Sequence, residues 1–128
     1  MPFIRFQQVG AVLAFFGVAL GAFGAHALKA RLDEAALSIW HTAVSYQIWH
    51  ALGLLILGLM LERKPHERLL RGSGYCLIGG TLLFSGSLYL LVLTGIRHLG
   101  AITPLGGSLL LAAWLLLALA LFRPTDCP

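Results

Sequence analysis

The side chains of this chain that could do chemistry are five histidines, two cysteines and a short polar run around residue 46. Metal binding is the first possibility. His26, His41, His50, His66 and His98 form neither an H-x-x-x-H nor an HExxH spacing, so no pair is set at i, i+4 to chelate a metal from one helix. Cys76 sits inside an apolar run and Cys127 is penultimate, with no CxxC, and Cys76 reads as a small packing residue. Acid–base chemistry is the second possibility. Tyr46 and His50 stand at i, i+4 beside Gln47, yet no nucleophile or substrate site accompanies them. Asp33 and Glu34 precede the second apolar run, while Glu62 and Glu67 follow it, so no carboxylate lies within a span. Thr94-Gly95 reads as a helix stop and Gly106-Gly107 as a packing site. Neither has the strand context a phosphate loop needs. The expectation is a non-enzymatic chain with no catalytic residue, no metal and no cofactor.

The elements that carry these residues are apolar. Of 128 residues, 59% are hydrophobic and 11% charged, against about 25% charged in soluble domains. A single soluble domain this short cannot hide so much apolar surface, so the bilayer is the natural solvent. The net charge of +4 does not indicate a nucleic-acid partner, because the basic residues sit between apolar runs and form no stripe. Four runs, at about 9–25, 43–61, 75–94 and 102–122, approach the roughly 20 residues needed to span hydrocarbon. Short connections make neighbours antiparallel. The fold class expected is an all-α transmembrane four-helix bundle, one domain over residues 1–128.

Charge gives the orientation. Arg5, Arg63, Lys64, Arg68, Arg71 and Arg123 share one side, against Lys29, Arg31 and Arg97 on the other. The positive-inside rule then places both termini in the cytoplasm. One competing reading takes Arg5, the first apolar run and Ala25-His26-Ala27 as a signal peptide with its cleavage site. The helical spacing of the glycines in that run suits a retained, packed helix better.

The helices are not equivalent. Asp33 suits an N-cap, Glu34 complements the first turn, and Leu32 and Leu37 make a hydrophobic staple, so the second helix starts well before its span. Its outer turns lie at the interface, or it kinks near Thr42 to Ser45. Pro65 and Pro104 suit first turns, with Thr103 as an N-cap. Gly10, Gly17, Gly21 and Gly24, with Ala14, form one small-residue stripe; Gly72, Gly79, Gly80 and Gly86, with Cys76 and Ser87, form another. Such stripes let backbones approach closely in lipid, within one bundle or against a partner chain. On the second helix, Leu37, Trp40, Val44, Ile48, Ala51 and Leu55 share an arc expected to face lipid. Tyr46, Gln47 and His50, with Ser85, Ser87 and Tyr89 at similar depth and His26 at the same end, are the candidate polar cluster. It is either hydrogen-bonding glue between helices or a small outward-facing pocket.

Three stretches carry a family resemblance: GAFGAHALK from Gly21, WHTAVSYQIWHALGLL from Trp40, and LFSGSLYLLVLTG from Leu83 followed by LGAITPLGG up to Gly107. They resemble the YgdD/YwdK-like family of small membrane proteins, a domain-of-unknown-function family. Ser45 departs from the usual pattern. The resemblance implies a multi-pass protein of the bacterial inner membrane and implies no activity. It marks Gly24, His26, Lys29, Tyr46, Gln47, His50, Ser85, Gly86, Ser87, Tyr89, Thr94, Gly95, Thr103, Pro104 and Gly106 as motif positions. The function expected is helix packing or partner interaction, as a homo-oligomer or with another membrane protein. The alternative is a small transporter, channel or ligand-binding protein.

Overall fold

The structure, a computed structural model, describes residues 5–124. Cys127 lies outside the described residues. Four helices follow one another: α1 (Phe6–Phe23), α2 (Glu34–Arg63), α3 (Arg68–Thr94) and α4 (Thr103–Phe122). A π-helical turn, Gly24–Leu28, continues α1, and a short 3-10 turn, Arg97–Ala101, precedes α4. With these turns, all four segments are long and apolar enough to cross a membrane. At about 1.5 Å per residue, the 30 residues of α2 outreach a hydrocarbon core of about 30 Å. The helix is unbroken through Thr42 to Ser45.

Local chemistry sets the helix ends. Asp33 has extended backbone, and its carboxylate accepts the Ala36 N–H at 2.8 Å. Leu32 and Leu37 pack in one cluster, as a staple requires. Gly95 closes α3 in the left-handed region, with φ 70°, and its N–H donates to the Leu91 carbonyl. Two sequence expectations are corrected. Pro65 is not in the first turn of α3 but in the connecting turn before it. There it disfavours helical backbone at Lys64, whose φ of −131° ends α2, and Glu67 becomes the cap of α3 by accepting the Leu69 N–H at 3.2 Å. Thr103 is not an N-cap. It is already helical, and its hydroxyl is engaged by Ser87 of α3 at 2.6 Å.

Helices α2 and α3 form the central pair, with α1 packed on α2 and α4 on α3. Phe6, Leu54, Leu57, Leu70, Leu77, Leu110 and Ala113 make a buried cluster to which all four helices contribute. The glycine stripe of α1 faces α2. Gly10 meets the Ala51 carbonyl and Leu54, Gly17 meets Ile48, Gly21 meets Val44, and Gly24 lies under the Trp40 indole.

That packing overturns the lipid face expected of α2. Trp40, Val44 and Ala51 are buried, and Leu37, Ile48 and Leu55 are partly buried. The exposed apolar residues are instead Trp49, Leu52, Ile56 and Leu59. Lipid tails and a bundle interior are equally apolar, so hydrophobicity does not choose between them. What chooses is fit, here large side chains of α2 seated against the small residues of α1.

The second stripe faces α4. Gly80 meets Leu110 and the Gly106 carbonyl, Gly79 meets Leu109, and Gly72 meets Leu116. Gly86 has no atom within 4 Å of where a Cβ would stand. The tightest approach is at Gly106, where a Cβ would fall on the backbone of Phe84.

Candidate functional site

The polar side chains flagged on α2 and α3 connect helices, but they do not form one network. Gln47 sits at the centre. Its amide nitrogen donates to the Leu13 carbonyl of α1 at 2.8 Å, and its oxygen accepts from the Tyr89 hydroxyl of α3 at 2.6 Å. One buried side chain thereby ties three helices. Ser85 separately donates to the Ala43 carbonyl of α2 at 2.7 Å. Ser87 bonds Thr103 of α4 at 2.6 Å and the Phe84 carbonyl at 3.0 Å. In hydrocarbon such groups need protein partners, since water is not there to supply them.

His50 is 5% exposed. Its Nδ1 lies 2.6 Å from the Tyr46 carbonyl one turn earlier. Tyr46 joins through its ring, stacked on Phe84 at 4.3 Å and on His50 at 5.7 Å, with Trp114 of α4 at 5.8 Å from the imidazole. Tyr46 and His50 are therefore part of an aromatic seam between α2, α3 and α4. His26 is on the exposed side of the π-helical turn, away from this group. Among the described residues, no three His, Cys, Asp or Glu side chains are grouped to hold a metal ion.

Sequence reasoning passed over several connecting residues. Ser73 donates to the Ala113 carbonyl of α4 at 2.7 Å, fully buried. It stands between Gly72 and Gly74, and a serine amid helical glycines was the available signal. The Trp40 indole N–H donates to the Leu20 carbonyl of α1 at 2.9 Å. Thr81 is buried with no partner for its hydroxyl.

Two cavities open at the end of the bundle that carries the α2–α3 connection, opposite the candidate cluster. One, of 780 Å³, lies between the start of α1, the end of α2 and the start of α3, with Arg5, Phe6, Glu62, Arg71 and Tyr75 in its walls. The other, of 620 Å³, adjoins Lys64, Glu67 and Arg123, and there Arg123 pairs with Glu67 at 3.3 Å. Neither is lined by Tyr46, Gln47, His50, Ser85, Ser87 or Tyr89.

Comparison with known proteins agrees with this architecture. The family described as "Protein of unknown function (DUF423)" matches residues 20–107. The chain is 44% identical over 118 residues to UPF0382 membrane protein SH2409 of Staphylococcus haemolyticus (strain JCSC1435), covering 92% of this chain and 95% of that protein. It is 41% identical over 115 residues to UPF0382 membrane protein YwdK of Bacillus subtilis (strain 168), covering 90% of this chain and 94% of that protein. No solved structure matches. Bacterial relatives named as membrane proteins, together with four spanning helices, make this a multi-pass protein of the bacterial plasma membrane. The match from Leu20 to Gly107 takes in the π-helical turn, the Gln47–Tyr89 bond and the Gly106 contact, and the chain belongs to the family of proteins of unknown function DUF423.

Proposed function

We propose that this is a non-enzymatic membrane protein, both termini in the cytoplasm, that acts by presenting a rigid helical body to a membrane partner or a second copy. The observation that carries the reading is the engagement of Gln47, Ser73, Ser85 and Ser87 in bonds between helices. These four polar groups inside the span, which chemistry or transport would otherwise draw on, hold the helices together. The grouping of Arg5, Arg63, Lys64, Arg68, Arg71 and Arg123 at one end of the helices supports the orientation.

Apart from Gly86, the glycines of both stripes lie against helices of the same chain. A partner would therefore meet the outward faces, where Phe15 and Phe16 of α1 and Leu111 and Leu115 of α4 are exposed. Photo-crosslinkers placed at Phe15 and Leu111 in native membranes test this. A discrete crosslinked product from one position is the expected result; lipid adducts alone, with a monomer by native mass spectrometry, would sink it. The alternative is a ligand-binding or transport protein with an outward pocket at Gln47 and His50; the two cavities described lie at the other end of the bundle.

A further inference from the structure

The larger cavity has the composition of a headgroup site. Arg5 stands one residue before α1, Leu61 and Glu62 are in the last turn of α2, and Arg71 and Tyr75 are in the first two turns of α3. These are the ends of spanning helices, which places the cavity at headgroup level. Phe6, Leu61 and Tyr75 supply apolar lining: Phe6 is buried, and its ring packs edge-to-face with Tyr75 at 5.3 Å between centroids. Tyr75 is 57% exposed, in the position where amphipathic aromatics settle at membrane interfaces. Arg5 and Arg71 line the cavity together with Glu62 and His66.

Contacts within the chain hold Arg71 and Glu62. Arg71 donates to the Pro65 carbonyl at 2.6 Å, tying it to the α2–α3 turn. Gln7 lies across Gly58, where a Cβ would stand 2.6 Å from its amide, and donates to Glu62 at 2.7 Å. That bond engages Oε1 of Glu62, a residue that lines the cavity.

We propose that this cavity binds the headgroup of an anionic glycerophospholipid. The phosphodiester is held by Arg5 and Arg71, a headgroup hydroxyl donates to Glu62, and an acyl chain runs along Tyr75 and Leu61 into the hydrocarbon. Arginine is suited to the role because its planar fork pairs with phosphate oxygens. The volume of 780 Å³ lies within the range of about 300–1,000 Å³ typical of ligand pockets.

Native mass spectrometry of the full chain, released from a neutral detergent, gives the test. The probes are dihexanoyl phosphatidylglycerol, dihexanoyl phosphatidylcholine, sn-glycerol 3-phosphate and inorganic phosphate. One phosphatidylglycerol should bind at least about fivefold more tightly than phosphatidylcholine. Arg5→Gln should weaken it by about fivefold, the equivalent of about 1 kcal/mol for one cation near a membrane surface. Arg31→Gln, an equal charge loss at the opposite end, should leave it unchanged. Arg71→Gln should weaken binding similarly, with its melting temperature recorded because the Pro65 contact is lost. Equal affinity for the two lipids, no binding of either, or an unaltered Arg5→Gln overturns the proposal. Binding of glycerol phosphate or inorganic phosphate as tight as that of the lipid overturns it in favour of a soluble-anion site.

Discussion

Gly106→Ala is the sharpest test of how these helices are held. The new Cβ would fall on the Phe84 amide nitrogen, 2.8 Å from the Phe84 Cα and 2.9 Å from the Gly80 carbonyl oxygen. All three are backbone atoms, so no side chain can rotate away. Ordinary contact at about 3.5 Å or more requires α4 to retreat from α3 by roughly 1 Å. A gap of that size forfeits about a quarter to a half of each neighbouring dispersion contact. It also stretches the Ser87–Thr103 bond from 2.6 Å to beyond about 3 Å, where it weakens. Overpacking of this kind costs about 1–3 kcal/mol, and an interhelical hydrogen bond in lipid contributes about 0.6 kcal/mol. The expected loss is therefore about 2–3 kcal/mol.

Gly86→Ala is the internal control. It lies on the same arc of α3 with no atom within 4 Å of its Cβ position, and alanine is favoured over glycine in a helix by about 1 kcal/mol. This variant should be neutral or stabilised. The assay is reversible unfolding in mixed micelles titrated with sodium dodecyl sulfate, followed by tryptophan fluorescence. Equal stability of Gly106→Ala and the unmodified chain, or an equal loss in both variants, would refute the claim that backbone-to-backbone approach holds α4.

The same assay reads three further expectations. Gln47→Leu should cost about 2–3 kcal/mol, since it removes two interhelical bonds and leaves the Tyr89 hydroxyl without its acceptor. Adding Tyr89→Phe should recover about 1 kcal/mol; a strictly additive double variant would show that the two residues are not coupled. Thr81→Val should be neutral or stabilising, because the Thr81 hydroxyl is buried without a partner, whereas Ser85→Ala should cost about 0.6–1.7 kcal/mol through its bond to Ala43. Arg123→Gln should change stability by less than about 1 kcal/mol, because Arg123 is 60% exposed in its pair with Glu67; a larger loss would mean that this pair holds the α3 start against the end of α4.

The sequence disclosed most where local chemistry decides. Span number, the Asp33 cap and the Gly95 stop follow from composition and from backbone preferences that hold in any surroundings. It disclosed least where two apolar environments compete. Trp40 illustrates the failure. On a wheel of α2 it sits amid leucine, valine and isoleucine, and nothing about its own hydrophobicity separates lipid from a neighbouring helix. The information was in a different segment, in Gly24, whose missing side chain leaves the space that the indole fills. The indole N–H then needs an acceptor, which Leu20 supplies from the same helix as Gly24. Read as a pair, a large residue with a buried donor and a glycine stripe predict an interface that neither predicts alone.

The same pairing distinguishes glue from pocket. A glutamine between Tyr46 and His50 looks like a site when taken with its sequence neighbours, which point along α2. Taken with the carbonyl and hydroxyl it reaches on α1 and α3, it is a clamp. The cavity walls follow the opposite rule. Arg5 and Arg71 are ordinary topology signals when counted along the chain, and Glu62 is a carboxylate just past a span; only the folding of three helix ends to one place makes them a binding surface. For a protein of this architecture, polar residues inside the span therefore point first to stability, while charged residues just outside it report orientation until the fold shows which of them share a cavity.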